Sequence, residues 1–190
     1  MSRPPLSDLV GGLTQRDRTD PYRWIHDATD QHRAQHGCWA YPYQDGSILG
    51  ALRDALRPIR VLELGTALGY TACWWAAGGA RVDTLEADPV HVQLARDMIA
   101  QAAPWGVVTV RQGEFADLMP ELDSTYDLAF FDGYAPPPDL LPTIATRLAP
   151  DGTLVATNLD LFGGGFRADL SINPAWHAAF VEDLAVARRR

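Results

Sequence analysis

The sequence predicts an α/β fold, a Rossmann-like doubly wound sheet, mostly parallel, with helices on both faces. Three observations lead there. The apolar run Ile59 to Leu64 breaks at Gly65-Thr66-Ala67-Leu68-Gly69 and passes into the helical stretch Tyr70 to Ala77, which is how the first unit of a nucleotide-binding sheet is built. Four more short apolar runs follow at 81–85, 107–110, 126–131 and 153–156, most of them separated by helix-forming stretches, as a parallel sheet requires. The fourth of the five, Tyr126 to Phe131, is almost continuously apolar, which suits a strand buried on both faces.

Composition narrows the partners. The chain has 190 residues, 47% hydrophobic and 21% charged, as expected of a soluble globular domain with a sizeable core. No apolar run approaches the length of a membrane span, and Met1 to Pro5 lack the apolar segment of a signal peptide, so a cytoplasmic protein is expected. The net charge of −8 disfavours nucleic acid, whose phosphates call for a basic surface, and leaves a small molecule as the expected partner. Cys38 and Cys73 form neither a disulfide framework nor a zinc-ligand pattern.

Taken in order, residues 1–20 read as poorly ordered. Residues 21–36 read as a helix capped by Asp20 with Pro21 at its first position. With the preceding stretch, this helix is expected to make an N-terminal extension or lid, 1–36, ahead of a cofactor-binding domain, 37–190. The helix carries His26, His32 and His36, whose uneven spacing does not predict a metal site. Trp39, Tyr41 and Tyr43 alternate in an aromatic loop that either packs over the core or covers a pocket. Asp45 starts a helix that ends at Arg57-Pro58.

After the glycine turn, the second strand ends in Glu86-Ala87-Asp88-Pro89. An acid there can accept hydrogen bonds from ribose hydroxyls, so Glu86 is a candidate, and Asp88 before Pro89 is the better helix cap. A helix is expected over 89–102. The fourth strand stops at Asp132, a carboxylate at the carboxyl end of a central strand, where open α/β sheets place their chemistry. A last helix is expected from Asn173-Pro174 to about Ala187, so that only five strands are evident and the sheet keeps an open edge that a homodimer could cover.

The glycine turn reads Glu-x-Gly-x-x-x-Gly from Glu63, not the Gly-x-Gly-x-x-Gly of a dinucleotide site. An acid at the strand end repels phosphate and suits a cation such as an amino acid's ammonium. With Leu-Glu-Leu-Gly-x-x-x-Gly-Tyr-Thr, Glu-x-Asp-Pro and Tyr-Asp-Leu-Ala-Phe-Phe-Asp-Gly in that order over roughly residues 37–180, the chain resembles the class I S-adenosylmethionine (SAM) methyltransferases, in particular the small O-methyltransferases of the catechol and caffeoyl-CoA type. The resemblance implies that Glu63, Gly65 and Gly69 frame the methionine part of SAM, with Tyr70 and Thr71 at the helix start beside them. It implies that Glu86 binds the ribose, Glu114 meets the adenine and Asp132 stands at the acceptor side.

The chain departs from that pattern in three places. Metal-dependent members hold a divalent cation, magnesium or calcium, with an Asp after strand four and an Asp-Asn pair after strand five. Here Asp132 is present, but the pair reads Thr157-Asn158, which leaves Asp132, Asn158 and, if its loop turns back, Asp160 as metal ligands. A lysine general base is missing: Ala135 stands in its place, and the base is open among His26, His32, His36, Asp132 and Tyr134. The closing hairpin of strands six and seven is not evident. The leading expectation is a SAM-dependent methyltransferase acting on a small molecule, on a hydroxyl oxygen first. A SAM-binding protein without turnover and a nicotinamide-dependent oxidoreductase are the alternatives.

Overall fold

The computed structural model describes residues 4–123, 125–132, 139–159 and 165–189. Helices α1 (Leu6–Gly12), α2 (Arg23–His36) and α3 (Gly46–Leu56) precede strand β1 (Arg60–Leu64). Then come α4 (Tyr70–Ala76), β2 (Arg81–Glu86), α5 (Pro89–Ala102), β3 (Val107–Gln112), α6 (Phe115–Glu121) and β4 (Tyr126–Phe131). The chain continues through α7 (Leu140–Arg147), β5 (Leu148–Ala156), α8 (Gly165–Ile172), β6 (Trp176–Val181) and β7 (Leu184–Arg189). The strands form one seven-stranded sheet in the order β3-β2-β1-β4-β5-β7-β6.

The five expected strands are present, and their pairings with one another are parallel. The expected ending is corrected. Residues 173–187 do not form a helix; they hold most of an antiparallel hairpin, in which β7 pairs with β5 and β6 with β7. Leu184-Ala185-Val186-Ala187 favours a helix locally, but in the sheet all four side chains are buried between the layers. Tertiary burial overrides the local preference. The turn is Glu182-Asp183, with Glu182 at φ 49°. β7 covers β5 within the chain, so the edge that a homodimer could cover is β6 and not β5.

Period-two alternation sorts the sheet into two layers. Val61, Val82, Leu128, Phe130, Val155 and Val186 face a cluster built with α1 to α4, whereas Leu62, Leu64, Leu85, Ala129, Phe131 and Leu154 face the layer of α6 to α8. Residues expected to be loose at the N-terminus are structured instead. Leu6, Leu9 and Leu13 are buried in the first cluster, so α1 is held by its apolar face. Helix α2 begins two residues later than its sequence signals suggest, and Asp20 accepts from the Tyr22 N–H (3.0 Å). Gly46 in α3 gives Trp74 of α4 its seat, since a Cβ there would fall 1.9 Å from the indole nitrogen. No helix among the described residues is long and apolar enough to cross a membrane.

Candidate active site

Strand order reverses between β1 and β4, and a cleft opens there at the carboxyl ends of the parallel strands, as in other open α/β sheets. Its volume is about 310 Å³. Gly65 and Thr66 line it from the turn after β1, Glu86 to Asp88 from the end of β2, and Asp132 from the end of β4. Cys38 to Tyr43 close it from the other side, so the aromatic loop does cover a pocket.

The turn takes its shape from three residues with positive φ, Gly65 at 97°, Ala67 at 45° and Gly69 at 93°; the region is open to the two glycines at little steric cost. Gly65 lies on the cleft wall. Gly69 does not; a Cβ on it would stand 2.8 Å from Ile99 of α5, so this glycine lets α4 and α5 pack. The turn also brings the Ala67 N–H onto Glu86, at 2.9 Å. The Asp88 N–H holds the other Glu86 oxygen at 3.0 Å. Burial alone would raise the Glu86 carboxyl, but His91 and these two N–H groups outweigh it and hold the group below the usual carboxylate range. His91, buried in the first turn of α5, stands 3.7 Å from Glu86. The Glu86 carboxylate pushes its imidazole up to about 9, against the opposing effect of burial.

Asp132 receives two hydrogen bonds on one oxygen, from the Thr157 hydroxyl (2.5 Å) and the Asn158 amide (2.8 Å). Burial pushes its carboxyl up to about 6; Thr157 opposes the rise and the Asp183 charge adds to it. Asp183 lies in the β6–β7 turn, and the sequence reading missed it because it took the hairpin for a helix.

Glu63 is fully buried beneath the turn and does not reach the cleft wall. Neither carboxylate oxygen has a hydrogen-bond partner among the described residues. Burial pushes the group up to about 8, and the neighbouring Thr71 and Thr84 hydroxyls oppose the rise. Tyr70 and Thr71 line the cleft. The Tyr70 hydroxyl donates to Asp20 at 2.5 Å and accepts the Gly46 N–H at 3.0 Å, so it ties the N-terminal segment to α4. Glu114 is exposed at the start of α6 and is not part of the cleft lining.

Of the candidate bases, Asp132 lines the cleft and His26, His32 and His36 do not. Tyr134 and Asp160 lie outside the described residues, as does Ala135 at the lysine position. The sequence reading also passed over His91 and Thr29 as cleft residues. The only local signal for His91 was its place in the helix turn that follows the Glu86 acid.

A methyltransferase-domain family profile matches residues 62–158, the stretch from β1 to just past β5. A catechol O-methyltransferase of Niastella koreensis is 31% identical over 141 residues, covering 70% of this chain and 64% of that protein. A catechol O-methyltransferase of Mycobacterium tuberculosis is 34% identical over 130 residues, covering 66% of this chain and 59% of that protein. The chain thus spans about six tenths of the length of these relatives. The fold is shared with an O-methyltransferase of Bacillus cereus solved with S-adenosylhomocysteine (SAH), at a TM-score of 0.74 and 22% identity, over 88% of this chain and 91% of that one. Fold, motif order and profile agree, and the chain belongs to the methyltransferase-domain family, with catechol O-methyltransferases among its relatives.

Proposed function

We propose that this chain binds SAM in the cleft and transfers its methyl group to a small-molecule acceptor, a hydroxyl oxygen in the first instance. One observation carries the reading: the Gly65 turn, Glu86 and Asp132 open into the same cleft at the β1/β4 switch point. The residues fit the cofactor. Glu86 is an ionised acceptor anchored by two backbone N–H groups, suited to ribose hydroxyls. The volume falls within the range of roughly 300–1,000 Å³ common to small-molecule sites. The names of the catechol O-methyltransferase relatives point to oxygen as acceptor.

When bound, the sulfonium supplies an already activated methyl group. What remains for the chain is to position the acceptor in line and take up its proton. Asp132 is the base in this reading: with its carboxyl near 6 it is ionised at neutral pH and closer to that pH than an ordinary carboxylate. Thr157 and Asn158 hold it in place, so that Asp132 would take the acceptor hydroxyl's proton as the methyl left the sulfonium for the oxygen, with SAH as the leaving group. Trp39, Tyr41 and Tyr43 line the cleft on the side of the aromatic loop.

The described oxygen donors for a divalent cation are one carboxylate, Asp132, and one amide, Asn158, and the Asn158 amide nitrogen already serves Asp132. Calcium takes six to eight oxygen ligands, and magnesium is bound through one or two carboxylates with waters. This donor set falls short of a calcium shell, and a magnesium ion there would complete its shell with water. Thr157 in place of a second carboxylate supports the second reading, a member that binds SAM without turnover. Two unpaired cysteines accord with a reducing, cytoplasmic setting.

The test is calorimetric titration with SAH in EDTA and then with magnesium. Saturable binding in EDTA is the expected result, and a failure to bind in either condition overturns the proposal. A further heat with magnesium would bring the cation back through Asp132 and Asn158. Turnover on a panel of phenols separates the enzyme from the non-catalytic reading.

A further inference from the structure

The N-terminal layer and the family core meet at a second cluster, which the methyl-transfer reading does not use. One ring nitrogen of His32, the Cys38 sulfur and one ring nitrogen of His91 all lie within 4.8 Å of one another. His32 comes from α2, Cys38 from the loop after it and His91 from α5, so the three converge only in the folded chain. The His32 and His91 rings meet edge-on, 5.3 Å between centroids. Among the described residues no other trio of His, Cys, Asp or Glu gathers so closely.

We propose that His32, Cys38 and His91 form a binding site for a zinc-class divalent ion, which fastens α2 and the aromatic loop to α5 at the rim of the cofactor cleft. Two imidazoles and a thiolate are the ligand types such an ion takes, and they are poor ligands for magnesium. Zinc–nitrogen and zinc–sulfur bonds of roughly 2.0–2.3 Å in a tetrahedron put ligand atoms ~3.5 Å apart. The trio needs to close by only about 1 Å to reach that spacing.

The surroundings support the assignment. A ligating histidine usually gives its other ring N–H to a carboxylate. His91 has one on each side: its Nδ1 is 3.7 Å from Glu86 and its Nε2 3.9 Å from Asp88. Whichever nitrogen binds the ion, a carboxylate faces the other. Cys38 and His91 both line the cleft, so a fourth coordination position opens toward it, for water or a ligand. His32 and Cys38 are only partly buried, which leaves a path of entry.

The site is tested on the full chain, stripped with EDTA and titrated with cobalt(II) as a spectroscopic stand-in for zinc. A saturable, one-to-one thiolate charge-transfer absorption that zinc then displaces is expected, with magnesium unable to displace it. Cys38→Ser should abolish the band. His32→Ala should weaken binding by more than the roughly 10–100-fold that loss of an outer-shell partner costs. Both positions are partly exposed, so both variants should melt as the parent does when metal-free. A band that persists in Cys38→Ser would assign the thiolate to Cys73, and the absence of any band would remove the site. Either result overturns the proposal. The readout is metal binding alone, so it stands or falls apart from methyl transfer.

Discussion

Asp132 and Glu86 occupy opposite ends of one argument. Both are strand-end carboxylates in the cleft, yet burial dominates at Asp132 and hydrogen bonding at Glu86. Their roles should separate in the same way. Asp132→Ala is expected to abolish transfer while leaving SAH affinity within a few-fold, and Glu86→Ala to weaken SAH binding, each read by calorimetry beside a turnover assay. Equal loss of binding and turnover in Asp132→Ala would remove its role as base. Glu63 allows a different test. Burial raises it from 4.5 to about 8, so on raising the pH the unfolded chain releases this proton before the native one does. Its stabilising contribution is complete below the unfolded value and is lost as pH rises through 8. His91, raised to about 9 by Glu86, loses its contribution in the same direction. Thermal melts should therefore show Glu63→Gln gaining on the parent between pH 5 and pH 9, and a constant gap would refute the shift.

Among the elements, the glycine turn divides its labour. Gly65 faces the cleft and Gly69 faces Ile99. Gly69→Ala would put a side chain at φ 93° and 2.8 Å from Ile99, so a loss of about 1–3 kcal/mol is expected in denaturant melts, from backbone strain and overpacking together. The sequence marked both glycines but could not tell these duties apart, because spacing reports the turn and not what lies across it. The parallel strands were legible because each is a short apolar run between helix or turn signals. Helix α5 was legible to the residue, from the Asp88-Pro89 start. The hairpin was not. Its alanines, leucine and arginines carry a helical preference, and what makes them strands is burial against β5, some 30 residues away in the chain. Asp183 was lost with it, and so were the Cys38–His32–His91 contacts, which depend on how α2 lies against α5.

For the whole molecule, the sheet is continuous and its two layers meet different parts of the sequence. The α1–α4 layer holds most of the cleft's roof, and Tyr70 couples that layer to Asp20. The profile match begins at residue 62, and the roof, including the aromatic loop and α2, precedes that stretch. Substrate choice is expected to reside there. Exchanging Trp39 or Tyr41, both more than half exposed, for alanine should shift acceptor preference in a phenol panel more than it shifts SAH affinity.

In the sheet β7 sits between β5 and β6, yet it follows both along the chain. Translation therefore delivers β6 before its only pairing partner exists. Until β7 emerges from the ribosome, β5 presents the unpaired backbone of Thr153 to Ala156, an open template for another nascent strand. Chaperone demand should concentrate in that interval. A chain truncated after Val181 should sediment with aggregates, although every residue of the proposed cofactor site is still present.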